Sequence, residues 1–269
     1  MVLPIITSAP HDADNFGPFS SRVKLSPWQL GEFADKYTAV TAYNHNALGN
    51  VKSQISRGLG SLNQPRDLSL FKLKDFHGNT IWKDGAELTE KEKEECFRTY
   101  YDPYHNEIEH LIKRSRTLGF ERVILWDQHD TGDFDELTQK RDRKLPGGER
   151  TMPKFILSNF GLEDSGELDP NNGFTSCSPE FIQKIRDYIS YEFDLPHIEV
   201  EINTIFKGGH IIQHYGNPKN DFGNTVVGIQ IEYNRGFIMD QRTRLPYKDK
   251  LKEFNEKFNR VMDKACELI

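Results

Sequence analysis

Residues 203–240 read NTIFKGGHIIQHYGNPKNDFGNTVVGIQIEYNRGFIMD, and the latter part of this stretch decides the fold. Between Val226 and Tyr233, Val227, Ile229 and Ile231 alternate with smaller or polar residues, the period of a β-strand. Glu232 is the one carboxylate in that run. A carboxylate ending an otherwise apolar strand is costly to bury unless it binds a metal, pairs with a cation or does proton chemistry. The plain alternative is a surface glutamate. Upstream, His210 and His214 follow a Gly208-Gly209 pair.

Moving outward, two more strands deliver histidines. Residues 121–127, ERVILWD, form a short β-branched apolar run suited to a buried central strand, and His129 follows it. Residues 3–7 form another apolar run, closed by Ser8-Ala9-Pro10 and followed at once by His11-Asp12-Ala13-Asp14. The opening residues lack a basic leader segment and read as a first strand. A further strand is expected over 197–205.

Helices fall between these runs. Residues 28–43 carry Trp28, Leu30, Phe33, Tyr37, Val40 and Tyr43 near helical spacing, with Asp35 among them, an ordinary position for a solvated aspartate. Thr89 and Glu92 form a capping box opening a helix that runs to Gly119, and Pro103 should kink it or start a second one. His105 lies near its apolar stripe and is expected to pack there. Ser178 and Pro179 open another helix, and residues 248–268 form a last amphipathic one. Residues 50–67 read as a short strand and a loop presenting Arg57, Asn63 and Arg66, and residues 71–84 as a hairpin or loop excursion. Residues 130–176 are long, polar and weakly patterned, and contain KRDRKLPGGER, a lid or a solvated basic loop.

Strands alternating with helices point to an α/β architecture, and 269 residues suit one domain over residues 1–269 with elaborated loops. A formal net charge of −6 argues against nucleic-acid binding, which needs a concentrated basic surface. Cys96, Cys177 and Cys266 are odd in number and widely spaced, the usage of reduced thiols in a cytoplasmic protein. No apolar run approaches the roughly 18 residues of a membrane span. In a parallel α/β sheet ligands bind at the carboxyl ends of strands, where His11 and His129 fall. Two such histidines and a carboxylate have the make-up of an open catalytic zinc site, and Glu232 at a third strand end supplies a separate proton-transfer group.

The segments FKGGHIIQHYG and VGIQIEYNRGFIMD resemble the C-terminal signature of N-formylglutamate amidohydrolases, an FKGGxxxRHYG-like run before a strand ending in QLE and a YM-acid pair. Pro10-His11-Asp12-Ala13 is similar to that family's PHSG or PHAG, and Asp35 falls where its helix-opening TD or SD is expected. Ser56 to Gln64 resembles SRxVIDLNR, Pro103 to Ile108 resembles PYHxxL, and Leu125 to Asp130 resembles LWDAHS. The matches keep the family's order over nearly the whole chain.

The resemblance implies a three-layer αβα sandwich with a mostly parallel mixed sheet, like that of zinc-dependent exopeptidases, holding one zinc per chain. By position it makes His11, Asp35 and His129 the ligands, with Asp14 the rival to Asp35 because His11 and Asp14 stand three apart. It makes Glu232 the general base and places Arg57 by the oxyanion of the tetrahedral intermediate. Asn63, Arg66, His105, Lys207, His210 and His214 become substrate-binding candidates. The implied reaction is hydrolysis of N-formylglutamate to glutamate and formate. The alternatives are another small amide or peptide bond, or a silent ligand-binding member.

Three departures bear on the substrate. Gln64 and Gln213 stand where the family has Arg, and glutamine cannot replace a guanidinium that grips a carboxylate. Arg66 and Lys207 are the candidates to restore those contacts. Asp12 adds a carboxylate beside the expected metal or else faces solvent, and residues 217–224 lengthen a loop bordering the pocket.

Overall fold

The computed structural model describes residues 1–132, 143–144 and 150–269. In chain order the elements are β1 (Leu3–Ala9), α1 (Pro27–Leu30), α2 (Thr38–Thr41), β2 (Ala47–Lys52), α3 (Glu90–Cys96), α4 (Asp102–Thr117), β3 (Val123–Thr131), β4 (Arg143–Lys144) and β5 (Arg150–Thr151). There follow β6 (Phe155–Ser158), α5 (Pro179–Phe193), β7 (Val200–Ile202), α6 (His210–Gly216), β8 (Val226–Asn234) and α7 (Lys248–Cys266).

Six strands form one sheet in the order β2-β1-β3-β8-β6-β7. The first four are mutually parallel, β6 runs antiparallel to β8, and β7 is parallel to β6. Both faces are covered, which is why β3 and β8 read as near-continuous apolar runs. On one face Ile6, Leu125 and Val226 pack under α4 and α6 through Ile108, Ile112 and Ile211. On the other, Trp126, Ile229 and Tyr233 pack under α5 and α7 through Ile185, Phe254 and Phe258. The chain is therefore a three-layer αβα sandwich.

Several local expectations hold. The Thr89–Glu92 capping box is present, and the helix it opens passes through a π-helical turn at Phe97–Tyr101 before α4, with Pro103 in the first turn of α4. Ser178 caps α5 with Pro179 behind it.

Others need correction. Residues 28–43 are not one helix: α1 and α2 are separate turns, broken at Asp35 and at Tyr37, whose φ is 72°. The break turns Asp35 inward and leaves Trp28, Val40 and Tyr43 largely exposed. His129 lies within β3 and not beyond it, because buried strand pairing with β8 continues through Thr131. Of residues 197–205, only Val200–Ile202 is strand, preceded by a 3-10 turn. The stretch 130–176 contains β6, an internal strand of the sheet, while residues 133–142 and 145–149 of its expected lid, with the greater part of the basic run 140–150, lie outside the described residues.

Candidate active site

The sheet order reverses around β1, since β2 adds on one side and β3 on the other, and such a point opens a crevice at the strand ends. Register sets Ser8 beside Asp127, so β1 and β3 end together, and His129 pairs directly with Glu232 on β8. Strand alternation puts Asp127 and His129, and likewise Gln230 and Glu232, on one face. His11 follows β1, and its carbonyl accepts the Asp35 N–H at 2.9 Å, which holds the broken helix against the strand end.

His11, Asp35 and His129 are all buried and offer one ligand atom each, all within 4.8 Å of one another. Asp35 Oδ2 lies 3.3 Å from His11 Nδ1 and 3.1 Å from His129 Nδ1. The far nitrogens are held from behind. His11 Nε2 meets Ser61 Oγ at 2.9 Å, and His129 Nε2 meets Asp127 Oδ2 at 3.2 Å. Asp127 in turn accepts the Ser8 hydroxyl at 2.7 Å, and Ser8 is bonded to Tyr104 Oη at 2.7 Å. Arg57 approaches from the partly open side, with Nη1 3.3 Å from His11 Nδ1 and Nη2 3.4 Å from Asp35 Oδ1. Because guanidinium only donates, His11 presents the Nδ1 lone pair inward and gives its Nε2–H to Ser61.

Electrostatics follow the packing. Burial, reinforced by the Arg57 charge, lowers the His11 pKa to about 4 and keeps its ring neutral. For Asp35 burial acts upward, but Arg57, His11 and His129 outweigh it and hold the carboxyl well below its ordinary value. Burial acts downward on His129, yet Asp127 and Asp35 together hold its pKa well above the usual. Burial drives Glu232 up to about 8, opposed by His129. Its Oε1 accepts from Gln230 Nε2 at 3.1 Å. Two neutral-capable imidazoles, each pinned from behind, and a buried carboxylate make a donor set that fits a divalent cation such as zinc.

Other sequence candidates sit elsewhere. Asp14 pairs with Lys36 at 2.7 Å, half exposed, and is not part of the cluster. Asp12 is not beside the cluster either, because its carboxylate turns to α2 and accepts Ala39 N–H at 3.0 Å. Asn63 Oδ1 accepts Ile211 N–H at 2.8 Å and its Nδ2 lies 3.2 Å from His129 Nε2, so it sets α6 against the His129 ring by contact, the Nε2–H being given to Asp127. His105 is packed as its helix position suggested, Nε2 to the Leu62 carbonyl and Nδ1 to Tyr215 Oη, both at 3.0 Å. His210 meets His105 edge-on and stacks on His214, and burial lowers its pKa to about 4. Arg66 grips Asp102 at 2.7 Å and Glu94 at 3.2 Å, and Lys207 pairs with Asp169 at 3.0 Å. Gln64 and Gln213 are exposed.

Asp127 was missed by the sequence reading although it left a signal: it stands two before His129 in an apolar run, hence on the same face of a buried strand. Ser8 and Ser61 left none. Asp130, on the opposite face of β3, is buried against Arg235, Oδ1 to Nη2 at 2.5 Å, and burial lifts its pKa to about 7 against the pull of Arg235.

A family profile described as N-formylglutamate amidohydrolase matches residues 3–239. The chain is 24% identical over 266 residues to an N-formylglutamate deformylase of Pseudomonas putida, covering 93% of this chain and 86% of that one. A Pseudomonas aeruginosa protein of the same description is 23% identical over 272 residues, with 93% and 88% covered. Among solved structures, an N-formylglutamate amidohydrolase from Ralstonia eutropha JMP134 superposes with a TM-score of 0.76 at 16% identity, covering 100% of this chain and 96% of that one. A gene product of Agrobacterium tumefaciens superposes at 0.60 with 12% identity, covering 98% and 90%. These two likenesses bear on the fold.

Proposed function

The chain belongs to the N-formylglutamate amidohydrolase family, and on that premise we propose that it hydrolyses the amide bond of an N-acyl amino acid, with N-formylglutamate, giving glutamate and formate, as the reference substrate. It acts as one amidohydrolase domain over residues 1–269, in the cytoplasm. The thiols of Cys96, Cys177 and Cys266 are free, and no helix among the described residues is long and apolar enough to cross a membrane.

One observation carries the reading: a buried His11-Asp35-His129 set stands beside a buried carboxyl, Glu232, that pairs in register with His129. His11 and His129 through Nδ1 and Asp35 through Oδ2 would hold one zinc ion. When bound, zinc supplies Lewis-acid polarisation of the amide carbonyl and makes water a stronger acid. Glu232 accepts a proton from the attacking water and returns it to the leaving nitrogen, which departs as the free amine. Its raised proton affinity suits a group that must both take and give a proton near neutrality. Arg57, partly exposed and aimed at the ligand set, stabilises the developing oxyanion. Asp127 and Ser61 keep the imidazoles oriented.

A second reading, hydrolysis of a different small amide, is favoured by the surroundings of the cluster. Gln64 and Gln213 are neutral and exposed, and Arg66 and Lys207 are already engaged by carboxylates. A panel of N-formyl and N-acetyl amino acids with acidic, neutral and basic side chains, assayed by release of the acid and of the amine, separates the two. Turnover of N-formylglutamate above the neutral members supports the reference substrate. Preference for neutral members supports the second reading, and no turnover of any member with zinc supplied refutes both.

A further inference from the structure

A cavity of about 610 Å³ lies on the α7 side of the sheet, between β1, β2, α2 and α7, and none of His11, Asp35 and His129 lines it. That volume is in the range of small-molecule sites. Its walls are mainly apolar: Leu251 and Ala39 line it, with Val40 and Tyr43, which are 47% and 53% exposed. Large side chains left this bare on a concave surface mark a contact site more often than an ordinary stretch of surface.

The charged part of the lining is predominantly cationic. Lys52 extends from the edge strand, and Lys248 and Lys252 stand one turn apart on α7. Lys52 and Lys248 have no acidic ion-pair partner among the described residues, and Lys252 has only Glu256 at 3.7 Å. The one carboxylate in the wall, Asp12, accepts from Ala39 N–H and from Thr38 Oγ1 at 3.4 Å and also lies within electrostatic reach of Lys52. On a chain of net charge −6, three lysines over an apolar floor are a local reversal of sign.

We propose that this cavity binds a small amphipathic anion, a medium-chain carboxylate, with its tail against Leu251, Val40 and Tyr43 and its head group among Lys52, Lys248 and Lys252. A second copy of the chain is the poorer occupant, because a two-fold contact would set the lysines of one copy against those of the other. Asp12 follows His11 directly, so the wall of this cavity adjoins the candidate metal ligands.

The test is calorimetric titration of the purified full chain with decanoate, hexanoate and decyltrimethylammonium. Decanoate should saturate one site, hexanoate should bind more weakly, and the cation should not bind. Replacing the three lysines by glutamate should weaken decanoate at least about tenfold, and Leu251→Arg should abolish binding, with circular dichroism unchanged in both. Binding should persist in His129→Ala, which removes a candidate metal ligand. No saturable decanoate binding, binding unaffected by both cavity variants, or binding lost only in His129→Ala would each overturn the proposal. So would a dimer in sedimentation that Leu251→Arg dissociates while decanoate binds nowhere.

Discussion

Asp127 Oδ2 lies 3.2 Å from His129 Nε2, and Asp127 Oδ1 accepts the Ser8 hydroxyl, so this carboxylate fixes the ring that faces Asp35. A carboxylate behind a ligating histidine sharpens its orientation and basicity. Asp127→Asn should therefore weaken zinc binding by about 10- to 100-fold in chelator competition; an unchanged affinity would remove it from the site. Glu232 makes a different prediction, through its proton. Its pKa in the fold is raised from 4.5 to about 8 by burial. Between those values the unfolded chain has lost the proton and the folded chain keeps it, so stability of the metal-free protein falls as pH rises across that window. Metal-free Glu232→Gln should melt above the metal-free parent at pH 8, with the gap closing toward pH 5. A gap that widens on acidification would show that burial does not govern this carboxyl.

At the scale of elements, α6 is more than a layer of the sandwich. Its first turn donates Ile211 N–H to Asn63, whose other end reaches His129. Gly209 permits this: a Cβ there would stand 2.1 Å from Asn63 Nδ2. Gly209→Ala should displace Asn63, lowering kcat and zinc affinity together while the far-UV spectrum is kept; wild-type values for both would show the link to be idle. The break between α1 and α2 serves the site in the same way. A continuous helix over 28–43 would satisfy the apolar spacing, but it would leave Asp35 on its outer side.

For the whole molecule, three parallel strands bring His11, His129 and Glu232 to the carboxyl end of the sheet, and residues far apart in sequence become neighbours there. Much of this was legible. The apolar runs of β1, β3 and β8 and the capping residues of α3 and α5 are local signals, and the ordered motifs marked His11, Asp35, His129 and Glu232. What stayed hidden depends on long-range pairing. Nothing in a single sequence says that Glu232 sits in register with His129, that Arg66 is taken by Asp102, or that Asp12 turns to α2. His105 and Asn63 carry polar groups that suit a pocket, yet folding uses both internally. Substrate choice is a property at this scale too. On the second reading, with Gln64 and Gln213 neutral, N-formyl amino acids with uncharged side chains should be turned over at least as fast as N-formylglutamate, measured as kcat/KM; a clear preference for the acid would support the reference substrate and show that another cation reaches it.

In the proposed reaction Glu232 moves the proton while His11, Asp35 and His129 hold the metal, and formate release and zinc content, measured side by side on the parent and on Glu232→Gln, test that division of labour directly. About one zinc per chain is expected in both, with hydrolysis in the variant lower by about 10²- to 10⁴-fold. A Glu232→Gln protein that hydrolyses as fast as the parent would contradict it.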